Sequence, residues 1–185
     1  MEKTRGIGVL LAIAASVAFL SAGAAVQSPG ESVTVKQVGS FVYCSLPQKG
    51  SFSEIQNAIG KLLQNMRSQN VFPTGPMLGI YHNSPDQVKP EELSWEVGFP
   101  VNDQAMVQAP LEKKQWTDLT VAAALHVGAY EKTAETITEI YAWMAANGYV
   151  QTGPLVERYL DMNPMQMKPE DLRTEIWIPC AKKSN

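Results

Sequence analysis

Residues 152–160 read TGPLVERYL, and 78 residues earlier residues 74–82 read TGPMLGIYH. Working outward, Gly50 matches Gly128 and Phe52 matches Tyr130 at the same offset. One inserted residue later the offset is 79. Lys89-Pro90-Glu91-Glu92-Leu93 then matches Lys168-Pro169-Glu170-Asp171-Leu172, Glu96 matches Glu175, and Pro100 matches Pro179. Chance does not keep order, spacing and turn chemistry together over such a length, so the chain contains an internal duplication.

Each copy reads the same way locally. A β-rich run comes first, at residues 33–46 and 116–126. A helix follows. In the first copy Ser51 and Glu54 have capping-box spacing, and Ile55, Ile59, Leu62, Leu63 and Met66 share one helical face. In the second, Ile137, Ile140, Tyr141 and Met144 do so, and Asn147-Gly148 is a stop signal. Gly-Pro then opens a second strand (77–82 or 155–160), and a Pro-containing loop leads to a third (95–99 or 174–178). The copies span residues 33–101 and 116–180, with 102–115 as linker and 181–185 as tail. Half of such a chain buries too little to be secure alone. The expectation is therefore one α+β domain in which two βαββ repeats share a core about a pseudo-twofold axis.

Composition sets the outer limits. Of 185 residues, 45% are apolar and 18% charged, ordinary for a globular protein and contrary to wholesale disorder. Fifteen Lys and Arg against 18 Asp and Glu give a net charge of −3, without the clustered positive charge that nucleic acid demands. The N-terminus carries Lys3 and Arg5, an uncharged apolar stretch over residues 6–20, and then Ser21-Ala22-Gly23-Ala24. That is the order of a secretory signal peptide over residues 1–24, followed by a leader at 25–32, and it predicts a periplasmic or secreted protein. An uncleaved membrane anchor over residues 6–26 is the alternative. Outside the cytoplasm disulfides persist, and Cys44 and Cys180 are the candidates for one.

His126-Val127-Gly128-Ala129-Tyr130-Glu131, Gly148-Tyr149, Thr152-Gly153-Pro154, Glu157-Arg158-Tyr159 and Thr174-Glu175-Ile176-Trp177-Ile178-Pro179 resemble the motifs of the GyrI-like, or effector-binding, domain of AraC- and MerR-type regulators. The resemblance covers nearly all of residues 33–180. The first copy departs at Pro47-Gln48, where the second has Leu125-His126. The resemblance implies a concave antiparallel sheet, two main helices, and a cleft between the halves for hydrophobic, often cationic, small molecules. Some free-standing relatives hydrolyse reactive electrophiles. Without a helix-turn-helix ahead of the domain, an exported chain is not expected to act on transcription.

Strand alternation nominates the binding residues. Glu175 and Trp177 share one face of their strand, opposite the aliphatic Ile176 and Ile178. Leu155, Glu157 and Tyr159 share another, Glu96 lies with Gly98, and Tyr81 lies with Met77 and Gly79. A carboxylate among aromatic rings is expensive to desolvate, and a lipophilic cation relieves that cost through charge and cation–π attraction. Glu175 leads the candidates, followed by Trp177, Tyr159 and Glu96, with Glu157 and Tyr81 behind. Tyr130, Trp143 and Trp95 are read as packing residues. A hydrolase would use Glu175 or Glu157 as general base and Tyr159 as proton donor.

Other classes carry less. No metal or cofactor is expected, because no catalytic motif of the common kinds is present and His82 and His126 lack metal-ligand spacing. A haem or tetrapyrrole binder of the SOUL type, which this duplicated fold also resembles, would have to ligate iron through one of those two histidines. A protein-interaction module could use the methionine-rich segment 162–167.

Overall fold

A computed structural model describes residues 33–184. The signal-peptide, anchor and leader readings at residues 1–32 lie outside the described residues. Nine strands and two long helices occur in the order β1 (Thr34–Gln37), β2 (Phe41–Lys49), α1 (Ile55–Ser68), β3 (Met77–Tyr81), β4 (Ser94–Pro100), β5 (Glu112–Trp116), β6 (Thr120–Val127), α2 (Thr133–Ala146), β7 (Tyr149–Gln151), β8 (Leu155–Tyr159) and β9 (Arg173–Lys182). The antiparallel sheet runs β1-β6-β9-β8-β3-β4-β2-β5, with β7 pairing to β9 as a short extra strand. This is the expected α+β architecture of two helices on one large open sheet.

The duplication extends to the register. Leu78 faces Gly98 as Val156 faces Trp177, and Ile80 faces Glu96 as Arg158 faces Glu175. Ser45 faces Gly98 as Ala123 faces Trp177. The halves join where β3 meets β8, and the central pair of that ladder is Gly79 with Glu157. These two positions are also equivalent in the repeat, so the pseudo-twofold axis passes between them.

Two segments read as linker and tail carry strand residues. The linker at 102–115 contains most of β5, the counterpart of β1, so a leading edge strand precedes each βαββ unit. The presumed tail contributes Ala181 and Lys182 to β9, paired with Val150 and Tyr149. The leading strands also change sides: β1 precedes the first unit but pairs with β6 of the second, while β5 precedes the second but pairs with β2 of the first. Hydrophobic patterning could not show this, because pairing partners are chosen by the whole sheet.

The exchange explains the curvature. In the sheet order β1 and β2 are six strands apart, about 29 Å if the sheet were flat. Only residues 38–40 connect them, a reach of about 14 Å at most. The sheet must therefore curl, and the face turned inward forms its own core of Tyr43, Leu78, Ile80, Trp116, Val121, Ala123, Val156 and Trp177. The helices cover the outer face. Ala58, Leu62 and Met66 of α1 pack on Cys44, Leu46, Trp95 and Val97, while Ile140 and Met144 of α2 pack on Ala122, Ala124, Ile176 and Ile178.

Cys44 and Cys180 therefore sit in different cores, one under each helix, and both are buried free thiols. The Cys44–Cys180 bridge is not formed. Ser51 caps the turn before α1 through Ser53 N (3.2 Å), so the expected capping box with Glu54 is replaced by a tighter local bond.

Candidate functional site

The apolar stripe on each helix is wider than its core contact, and the surplus faces a cleft. Ala58, Leu62 and Met66 of α1 go inward, while Ile55, Ile59 and Leu63 line the space between the helices. On α2, Ile140 and Met144 are core, while Ile137 and Tyr141 line that space. The floor is the β3–β8 ladder, with Tyr81, Leu155, Glu157 and Tyr159. The cleft is open, about 2380 Å³ in volume, and runs on to the loops after β3 and β8. It exceeds the usual ligand pocket of about 300–1,000 Å³, so a small guest would occupy only part of it.

At its centre Glu157 accepts hydrogen bonds from two tyrosines. Tyr159 Oη lies 2.5 Å and Tyr81 Oη 3.1 Å from Glu157 Oε2, and the two hydroxyls are 3.2 Å apart. Tyr81 can reach across because Gly79 has no side chain. A Cβ at position 79 would lie 2.9 Å from the Tyr81 hydroxyl oxygen. Each tyrosine is braced edge-on by an aromatic from the turn before its own helix, Phe52 on Tyr81 (5.2 Å) and Tyr130 on Tyr159 (5.1 Å). The four rings form a symmetric frame around one unsymmetrical carboxylate.

Burial raises the Tyr81 pKa, and the neighbouring Glu157 charge adds to the effect. Tyr159 is raised well above the ordinary phenol range, first by burial and then by the charges of Tyr81 and Glu157. Both phenols therefore keep their protons and donate. Glu157 is only 7% exposed and has no Lys, Arg or His ion-pair partner among the described residues.

The leading sequence candidates lie elsewhere. Glu175, Trp177 and Glu96 point into the inner face of the curled sheet, across β8, β9, β3 and β4 from the cleft. Glu175 is ion-paired with Lys36 and Arg158. The same two cations lie over Trp177, with the Arg158 guanidinium 4.1 Å and the Lys36 ammonium 5.2 Å from the ring centre. The cation that this carboxylate–aromatic face requires is thus supplied by the chain itself. Glu96, 2% exposed, accepts from Ser45 Oγ, His82 Nε2 (2.7 Å) and Lys114 Nζ (2.9 Å). Burial alone would raise its pKa, but the bonds from His82, Ser45 and Lys114 outweigh it and hold the group at about 2. At Glu175 burial likewise acts to raise the pKa, but the Lys36 hydrogen bond and the Lys36 and Arg158 charges outweigh it and hold the group below its ordinary value.

These ion pairs are themselves duplicated. Lys36 of β1 and Lys114 of β5 are 78 residues apart, and Glu96 and Glu175 are 79 apart. Each exchanged edge strand is therefore tied by its lysine to a glutamate of the half it joins. The spacing of the two lysines is the signal in the sequence that each glutamate has a basic partner.

Of the six nominated residues, Glu157, Tyr159 and Tyr81 come together in the cleft, while Glu175, Trp177 and Glu96 do not. Tyr130, read as packing, belongs to the cleft wall. Trp143 packs on Tyr149 (5.6 Å), and Trp95 is core, donating from Nε1 to Gly50 O (2.9 Å). His126 is buried. Ala129 O can only accept, so the ring donates there through Nε2 (3.2 Å) and Nδ1 accepts from Thr136 Oγ1 (2.9 Å). Both His126 ring nitrogens are used, whereas His82 is held by Glu96 through Nε2. Among the described residues, no group of three His, Cys, Asp or Glu could hold a metal.

Known structures share this fold. The EcmrR C-terminal domain superposes with a TM-score of 0.73 at 20% identity, covering 82% of this chain and 98% of that one. A hydrolase encoded by lin2189 from Listeria innocua gives 0.61 at 14% identity, over 84% and 94%. SAV2435 bound to tetraphenylphosphonium gives 0.53 at 16% identity, over 80% and 93%. No curated protein matches the sequence. The family model of the GyrI-like small molecule binding domain matches residues 31–181, which take in both helices and all of the sheet but its last residue. The chain therefore belongs to the GyrI-like family of small-molecule-binding domains.

Proposed function

We propose that the protein binds a hydrophobic organic cation in the cleft between α1 and α2, with Glu157 as its charge partner. One observation carries this reading. Among the described residues Glu157 is a buried carboxylate with no basic partner, whereas the buried Glu96 and the half-buried Glu175 each have at least one. A buried charge without a counter-ion is unfavourable, and a guest cation between ring faces removes that penalty while gaining cation–π attraction. The tetraphenylphosphonium in SAV2435 is a ligand of this chemical class on the same fold. On the evidence of residues 1–24, the protein would do this outside the cytoplasm as a sensor or scavenger.

Calorimetric titration with tetraphenylphosphonium and with neutral triphenylphosphine oxide tests the reading. Glu157→Gln should weaken the phosphonium at least about tenfold and leave the oxide within about twofold. Equal losses for both would end the charge-pairing account.

A second reading rests on the 2.5 Å Tyr159–Glu157 bond. Glu157 could activate water while Tyr159 or Tyr81 protonates a leaving group, a general acid–base arrangement for an electrophilic substrate. A product heavier by about 18 Da, lost in Glu157→Gln, would favour this hydrolase.

A further inference from the structure

The two ends of the cleft are formed by matching loops, the second longer by one residue, and they differ in chemistry. The loop after β8 is pinned at its base. Asp161 accepts from the Arg173 backbone N (2.6 Å), Nε (3.0 Å) and Nη2 (2.8 Å), and Gln166 N and Met167 N donate to Asn163 O (3.0 Å) and Pro164 O (3.2 Å). Beyond this fixed base Met162 and Met165 border the cleft, yet they are 95% and 99% exposed. At the other end Gln87 N donates to Ser84 O as Gln166 N donates to Asn163 O, so Asp86 stands where Met165 does, Met162 is the residue inserted in the second copy, and the loop with Ser84 and Asp86 also borders the cleft. The loop therefore has no conformational need for methionine, and the free protein gains no packing from it. Thioether side chains are unbranched and polarizable, suited to covering an apolar guest of irregular shape.

We propose that Met162 and Met165 receive an apolar arm of the ligand, so that the cleft is built for an unsymmetrical cation. Its charge rests at Glu157, and its alkyl or aryl arm extends along the rim of the second half only. This rests on the reading of Glu157 as charge partner and adds the shape of the guest to it.

Calorimetric titration with butyltrimethylammonium and decyltrimethylammonium separates charge from arm. In the wild type the decyl ion should bind at least about tenfold more tightly than the butyl ion, because its chain has a surface to cover. In M162S/M165S the butyl affinity should stay within about twofold while the decyl advantage falls below about threefold, and M162L/M165L should restore it. The melting temperature of the free protein should not move in either variant, since both side chains are solvent-exposed. An undiminished decyl advantage in M162S/M165S overturns the inference. Failure of the Glu157 reading looks different: Glu157→Gln would then bind both ions as the wild type does. A wild type that binds neither ion overturns both.

Discussion

Gly79 and Glu157 are equivalent residues of the two repeats, and they face each other across the β3–β8 ladder. A pseudo-twofold axis leaves room for one long side chain there. The second repeat supplies it, and the first withdraws to glycine, which lets Tyr81 lean over and donate to Glu157. A duplicated fold thereby presents a single carboxylate to the cleft, inside a symmetric frame of four rings.

Gly79→Ala should disturb the site more than the fold. The new Cβ would displace the Tyr81 hydroxyl from 2.9 Å and break its bond to Glu157, a loss of roughly 1 kcal/mol in stability. Titration with tetraphenylphosphonium should show an affinity about three- to tenfold weaker, matched by Tyr81→Phe. Wild-type affinity in Gly79→Ala would contradict the geometry.

The two lysines of the exchanged strands should differ in worth. Lys114→Met leaves Glu96, 2% exposed, with only a neutral serine and a histidine, and should cost about 3 kcal/mol. Lys36→Met leaves Glu175 with Arg158 and partial solvent access, and should cost about 1 kcal/mol or less. Urea denaturation at neutral pH gives both values, and the prediction is the order of the two.

Acid should weaken the protein through these same carboxylates. Glu96 is held at about 2, below its ordinary value, so its contribution is complete above the unfolded carboxylate range and disappears as pH falls through about 2. The loss amounts to roughly 3 kcal/mol, spread over the interval from about pH 4.5 downward. Glu175, shifted in the same direction, adds to it. Stability measured against pH should fall over this interval, and less steeply in Glu96→Gln, which lacks the titrating group.

Both cysteines should be silent in the native state. Burial pushes the Cys44 and Cys180 thiols up, and neither is exposed. Iodoacetamide at neutral pH should label neither in the folded protein and both in urea, with two free thiols by mass under non-reducing conditions. A mass lighter by two hydrogen atoms would instead reveal a bridge.

The sequence and the structure agree where pairing is local. The 78- and 79-residue offsets predicted the strands, the helices and the equivalence of Tyr81 with Tyr159. Alternation also correctly set Glu175 and Trp177 opposite Ile176 and Ile178. Alternation could not say which face would stay open. Glu175 and Trp177 look like a cation site until Lys36 arrives from a strand 139 residues away, beside Arg158 from the neighbouring strand. Glu157 ranks behind Glu175 on the family resemblance, and alternation alone does not bring Tyr81 and Tyr159 together on it. Their convergence depends on the β3–β8 register and on an empty position at Gly79.

The crossing of β1 and β5 to opposite halves has a practical consequence. A cut in the exposed segment near Asp103 and Gln104 would yield two pieces, each retaining the outermost strand of its counterpart. Such pieces are mutually incomplete by construction. They form a natural basis for a split reporter, in which recovery of the whole signals that two tethered proteins have met.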